Sequence, residues 1–147
     1  MGITSAICNS FKQEILEAEH NFTVAPAGNT FNLALYTSSA TLSASTTAYA
    51  STNEITNTSG TAYSAKGKAL TSVTPTLDSS TAVCDFADVS WTSASFTANG
   101  CLIFNDSHAT DASVCAVAFG GDKTVSSGTF TVQFPAAAAT TAIIRIA

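Results

Sequence analysis

Two stretches decide the fold class: Gly100-Cys101-Leu102-Ile103-Phe104-Asn105-Asp106-Ser107 and, shortly after, Ser113-Val114-Cys115-Ala116-Val117-Ala118-Phe119. The run from Gly100 to Phe104 is continuously apolar, which predicts a strand buried on both faces. Asn105-Asp106-Ser107 closes it as a turn, because short polar side chains bond their own backbone there. Ser113 to Phe119 is nearly all apolar and predicts the next strand.

Working outward, the period stays at two. Downstream, Gly120-Gly121-Asp122-Lys123 is a turn signal, and Thr129 to Phe134 then alternates with Phe130, Val132 and Phe134 on one face. Pro135 and a short alanine run lead to a last strand over Ala142 to Ile146. Upstream, Val89 with Trp91 and Phe96 with Ala98 mark short strands. Ala82, Cys84 and Phe86 share a face. Ala69 to Thr74 is a weaker strand halted near Pro75. Phe31, Leu33 and Leu35 alternate with Asn32, Ala34 and Tyr36, which predicts a half-buried strand. Between these, Thr37 to Gly67 reads as a long irregular excursion anchored by Tyr49, Ile55 and Tyr63. About eight short strands spaced by turn signals predict an all-β chain, with a β-sandwich or jelly-roll-like domain over 29–147.

One short α-helix precedes them. Ser10 and Gln13 have capping-box spacing, and Phe11, Ile15, Leu16 and Ala18 fall near one face, with Glu14, Glu17 and Glu19 on much of the rest. Pro26 and Gly28 end the segment, so residues 1–28 are predicted as an N-terminal arm carrying an amphipathic helix. A helix of about ten residues is marginal alone, so its apolar stripe must dock on something.

Composition limits the function. Charged residues are 10% of the 147, net charge is −5, and Ser plus Thr are roughly 29%. Five Lys plus Arg give no basic face for nucleic acid or for an anionic membrane. No secretory leader and no transmembrane run is legible, so the chain is expected to stay in the cytosol where it is made. Cys8, Cys84, Cys101 and Cys115 lack metal-binding spacing and read as small buried apolar groups. If a disulfide forms, Cys84, Cys101 and Cys115 are the candidates. No metal and no cofactor is expected.

Catalytic candidates are few. His20 reads as the end of the acidic helix, favoured there by the helix dipole. Asp106, His108 and Asp111 share one loop and could be imagined as a triad or metal site, but read more simply as a solvated turn. Asp85 and Asp88 read as turn caps rather than a glycosidase pair. No Gly-x-Ser-x-Gly, P-loop or HExxH pattern occurs. The chain is therefore read as non-enzymatic. Tyr36, Tyr49, Tyr63 and Trp91 read as freer than the phenylalanines, with burial or interface packing favoured over an exposed glycan platform.

Three segments resemble a group of small structural virion proteins of tailed bacteriophages: Asn9-Ser10-Phe11-Lys12-Gln13-Glu14-Ile15-Leu16; Phe31-Asn32-Leu33-Ala34-Leu35-Tyr36-Thr37-Ser38; and Phe119-Gly120-Gly121-Asp122 with Thr129 to Pro135 and Ile143-Ile144-Arg145-Ile146. The resemblance implies a virion component of the capsid, neck or tail, and supplies no active site. The leading expectation is a capsid decoration (cement) protein, a homo-oligomer such as a trimer, bound to the major capsid protein or other virion proteins. Phe11, Ile15 and Leu16 are its expected anchors, and the Thr37 to Gly67 loop with Tyr49 and Tyr63 its second contact surface. The alternative is a tail, neck or head-fibre component that binds a host receptor through Tyr49, Tyr63 or Trp91.

Overall fold

A computed structural model describes residues 2–147. In chain order the elements are β1 (Gly2–Ile3), β2 (Ala6–Ile7), α1 (Asn9–Leu16), β3 (Phe31–Tyr36), β4 (Thr41–Leu42), β5 (Lys68–Ala69), β6 (Ser72–Asp78), β7 (Thr81–Phe86), β8 (Val89–Asn105), β9 (Ser113–Val132) and β10 (Ile144–Ile146). The chain is mostly β, with one short helix. A five-stranded antiparallel sheet has the order β2-β9-β8-β3-β5, a three-stranded antiparallel sheet the order β10-β7-β6, and β1 pairs with β4 in parallel.

The frame is the β8–β9 hairpin, whose strands run for 17 and 20 residues. Several short strands expected from the sequence are thus segments of two long ones, joined through bulges. The Gly120-Gly121 signal does not end a strand. Ala98 pairs with Lys123 and Gly100 with Ala118, so Asn99 alone faces residues 119–122, which are extruded. Gly120 and Gly121, at φ +75° and +138°, supply backbone angles that side chains resist. On the outer half of this hairpin hydroxyls face each other: Ser90 Oγ lies 2.7 Å from Thr131 Oγ1, and Thr97 Oγ1 lies 2.8 Å from Thr124 Oγ1. Part of the Ser/Thr richness is therefore cross-strand pairing.

β3 forms where the period of two placed it, but the half-buried expectation is corrected: the excursion Thr37 to Gly67 covers its second face as well. All six of its residues are buried. Phe31, Leu33 and Leu35 enter the main core with Cys101 and Ile103 of β8, while Ala34 and Tyr36 enter a second core with Leu102 and Phe104. The three-stranded sheet helps cover the main core through Phe86 and Ile144. The excursion Thr37 to Gly67 covers the second core with Ala40 and Leu42, and Tyr49 stacks on Phe104 at 4.8 Å. It also sends Ile55 and Tyr63 into the main core, so it wraps the sheet rather than leaving it. Gly67 permits this: at φ +66°, an added Cβ would sit 1.8 Å from the Leu33 carbonyl oxygen.

Residues 2–28 are woven into the same body. β2 pairs with Cys115 and Ala116, and Cys8, Phe11 and Phe22 belong to the main core. The helix is shorter than its pattern. Cys8 occupies the N-cap without a side-chain bond, and Ser10 Oγ is buried and unpartnered instead of capping. Ala18 at φ 60° turns the chain out of the helix well before Pro26.

Candidate functional site

Asp106 and Asp111 are brought together, on Lys66 and without His108. Asp106 Oδ1 accepts from Lys66 Nζ at 3.0 Å, and Asp111 Oδ2 lies 2.9 Å from the same nitrogen. The bonds to Asp111 and then Asp106 push the Lys66 ammonium above its ordinary range. His108 turns the other way, with Nε2 3.4 Å from Glu19 and its ring stacked on His20 at 6.2 Å. Asp85 accepts from the Phe86 N–H at 2.8 Å, and Asp88 from the Phe134 N–H at 2.9 Å. Each carboxylate satisfies a backbone donor, as a capping group does.

His20 does not end the helix; its side chain is fully buried. Asn105 Nδ2 lies 3.1 Å from His20 Nδ1. On the other side of the ring Nε2 lies 2.8 Å from Glu14 Oε2. The ring also lies against Phe11 at 5.0 Å. His20 thus ties the segment after α1 to the β8–β9 turn. The sequence reading missed this because the partner is 85 residues away.

A second polar brace centres on Glu54, itself buried. Its carboxylate accepts from Tyr49 O–H at 2.6 Å, Tyr63 O–H at 2.7 Å and the Lys66 backbone N–H at 2.8 Å. The Tyr63 oxygen in turn accepts from the Leu35 N–H at 2.9 Å. Burial first, and Glu54 second, pushes Tyr49 up to about 12 and raises Tyr36 and Tyr63 further. A phenol raised in the folded state keeps its proton where the unfolded chain, near pKa ~10, has released it. Stability from these groups is complete below pH ~10 and drains away as pH rises above it. Alkaline titration should therefore show tyrosinate absorbance and loss of circular dichroism rising together. Tyrosine ionisation in a protein that keeps its fold would contradict this.

The expected interface residues divide by burial. Phe11 and Tyr63 lie in the main core at 3% and 2% exposure, packed within their own chain. Ile15 packs partly against that core, and Tyr49 is half-buried on Phe104. Leu16 stands out at 87% exposure. The burial favoured for the tyrosine and tryptophan rings over an exposed platform holds for Tyr63 and Trp91, which removes both from the receptor-tip alternative: Trp91, at 1% exposure, stacks with Tyr63 at 5.9 Å. The large rings are drawn inward because they carry most of the apolar area to be removed from water.

Two apolar surfaces escaped sequence reading. Ile146, Ala82 and Leu77 lie in register across the three-stranded sheet, with Leu77 72% and Ile146 57% exposed. A groove of about 460 Å³ lies along the edge of β9, lined by Val117, Phe119, Phe130 and Val132 with Lys123, Thr131 and Gln133. The alternation of Phe130 and Val132 gives their shared face; nothing in it tells that this face is left partly uncovered.

All four cysteines are free thiols. Burial pushes Cys84 up to about 11 and Cys101 up to about 12, and raises Cys115 well above its ordinary value. Thiolate is the reactive form, so alkylation of the native protein at neutral pH should be slow, with Cys84 labelled before Cys101 and Cys115. Mass spectrometry after brief labelling checks this; prompt modification of Cys101 would contradict the packing. Comparison with protein-family models, curated proteins and solved structures finds no match. Fold and site define this chain as an all-β protein whose grouped ionisable side chains brace its loops.

Proposed function

We propose that this chain is a non-enzymatic structural protein of a tailed-phage virion, a β-sandwich subunit that decorates the capsid by binding the major capsid protein lattice. The observation that carries this reading is the use made of its ionisable groups. Glu14 with His20, Lys66 with Asp106 and Asp111, and Glu54 with Tyr49, Tyr63 and the Lys66 backbone N–H are committed as cross-braces between loops and sheets. Such bracing suits a part that must hold its shape, whereas acid–base chemistry needs a poised group facing substrate. The exposed apolar residues and sparse charge suit contacts with other subunits. The likeness of the three segments quoted above adds the virion setting.

Quantified mass spectrometry of purified particles tests it. Hundreds of copies per particle are expected. A few copies would move the chain to the neck or tail, and absence from particles would remove the reading.

A further inference from the structure

Phe11 and Ile15 spend the core-facing side of α1, and Leu16 comes one helical step of about 100° later. It therefore points away, at 87% exposure, with exposed Glu17 beside it and Glu19 49% exposed nearby. A leucine there buries little of its apolar surface within its own chain.

The groove has the complementary character. β2 pairs with β9 only at Cys115 and Ala116, and Ser5 Oγ accepts from the Ala118 N–H at 2.9 Å, so beyond Ala118 β9 is the edge of the sheet. The extruded residues 119–122 then widen that edge. The Phe119 and Phe130 rings, 6.2 Å apart, and the side chains of Val117 and Val132 form an apolar hollow. Lys123 lines it, exposed, and makes no ion pair among the described residues. Its neighbour Asp122 is held by Asn99 at 2.8 Å.

We propose that this chain self-associates head to tail, Leu16 and its flanking glutamates seating in the Val117–Phe119–Phe130–Val132 groove of a second copy beside Lys123. Charge selects the head-to-tail mode. On the α1 side Glu14, Glu17 and Glu19 outnumber Lys12 one turn before Leu16, and among the described residues Lys123 is the only charged side chain lining the groove, so knob against groove pairs opposite signs while like ends repel. A heterologous contact of this kind closes into a ring or continues as a chain, which supplies the oligomer that the decoration reading needs and rests on that reading.

Sedimentation velocity of the purified full chain across a wide concentration range tests it without any particle present. The wild type should associate. Leu16→Asp, Glu17→Lys and Lys123→Glu should each weaken association about tenfold or more, and Glu17→Lys with Lys123→Glu should recover part of the loss. Leu16→Asp keeps its groove and Val132→Arg keeps its knob, so a mixture of the two should form a one-to-one pair and nothing larger. If Val132→Arg loses its circular dichroism spectrum, Lys123→Glu takes its place in the mixture. A wild type that stays monomeric at every concentration overturns the proposal, as does association that all the variants leave unchanged. Association of a chain that is absent from particles would keep this contact and remove the decoration role; particle binding by a strict monomer would do the reverse.

Discussion

Glu54→Ala is expected to lower the unfolding free energy by about 4 kcal/mol, seen as a lower urea midpoint with an unchanged slope. The carboxylate holds three donors, two of them phenols on different parts of the Thr37 to Gly67 excursion and one the backbone of Lys66. Alanine leaves those donors facing a site from which water is largely excluded. An unpaired buried donor costs roughly 1–3 kcal/mol, and hydrogen bonds to a charged acceptor sit at the upper end. The loss is structural as well as energetic. Tyr49 is stacked on Phe104 over the second core, and Tyr63 is stacked on Trp91 in the main core. Releasing both phenols loosens the cover of one core and a wall of the other. Glu54→Gln, which keeps acceptor capacity on one atom, should lose less than half as much. A Glu54→Ala protein within about 1 kcal/mol of wild type would show that the brace is not what holds the excursion.

Trp91→Ala is expected to cost about 3–5 kcal/mol by the same measurement, the range for emptying a large aromatic site. Trp91 touches both long strands and the excursion. Its ring meets Tyr63 at 5.9 Å, Phe96 at 6.3 Å and Phe130 at 6.3 Å, and Lys68 Nζ lies 5.6 Å from its centroid. Lys68 is also anchored to the Ser90 carbonyl, so the cation stays over the ring. The neighbours sit on separate elements and cannot all close into the space. Trp91→Phe should recover most of the loss, since a smaller ring keeps the contacts with Phe96 and Phe130. If Trp91→Ala were as stable as Trp91→Phe, the site would be collapsing freely, contrary to the packing described. Because Phe130 also lines the β9 groove, Trp91→Ala should further weaken self-association, whereas Glu54→Ala should leave it intact.

The β-rich class was legible because its signal is local. A strand shows its face every second residue, and Phe31 to Tyr36 displayed that alternation before any partner was known, though not that its Asn32-Ala34-Tyr36 face would be covered as well. The apolar run at Gly100 to Phe104 announced a strand covered on both sides, and the run at Ser113 to Phe119 announced the next strand. The turn at Asn105-Asp106-Ser107 was local as well. The Gly120-Gly121-Asp122 signal was real, but a reversal and a bulge demand the same backbone angles. Only the partner strand decides between them, and here Asn99 of β8 does.

Sites were less legible, since burial is a property of neighbours far along the chain. His20 follows an acidic helix and reads as surface, yet the Asn105 amide draws it inside. Phe11 and Leu16 lie on one apparent stripe, yet one fills the core and the other faces water. That the chain builds sheets, has little charge and carries few groups suited to acid–base chemistry, the residues by themselves determined, through period and composition. Which carboxylate meets which lysine, which rings fill the core, and where an apolar edge is left open, only the tertiary structure decided. Those outcomes depend on pairings across tens of residues, and no local pattern encodes which distant surface will arrive.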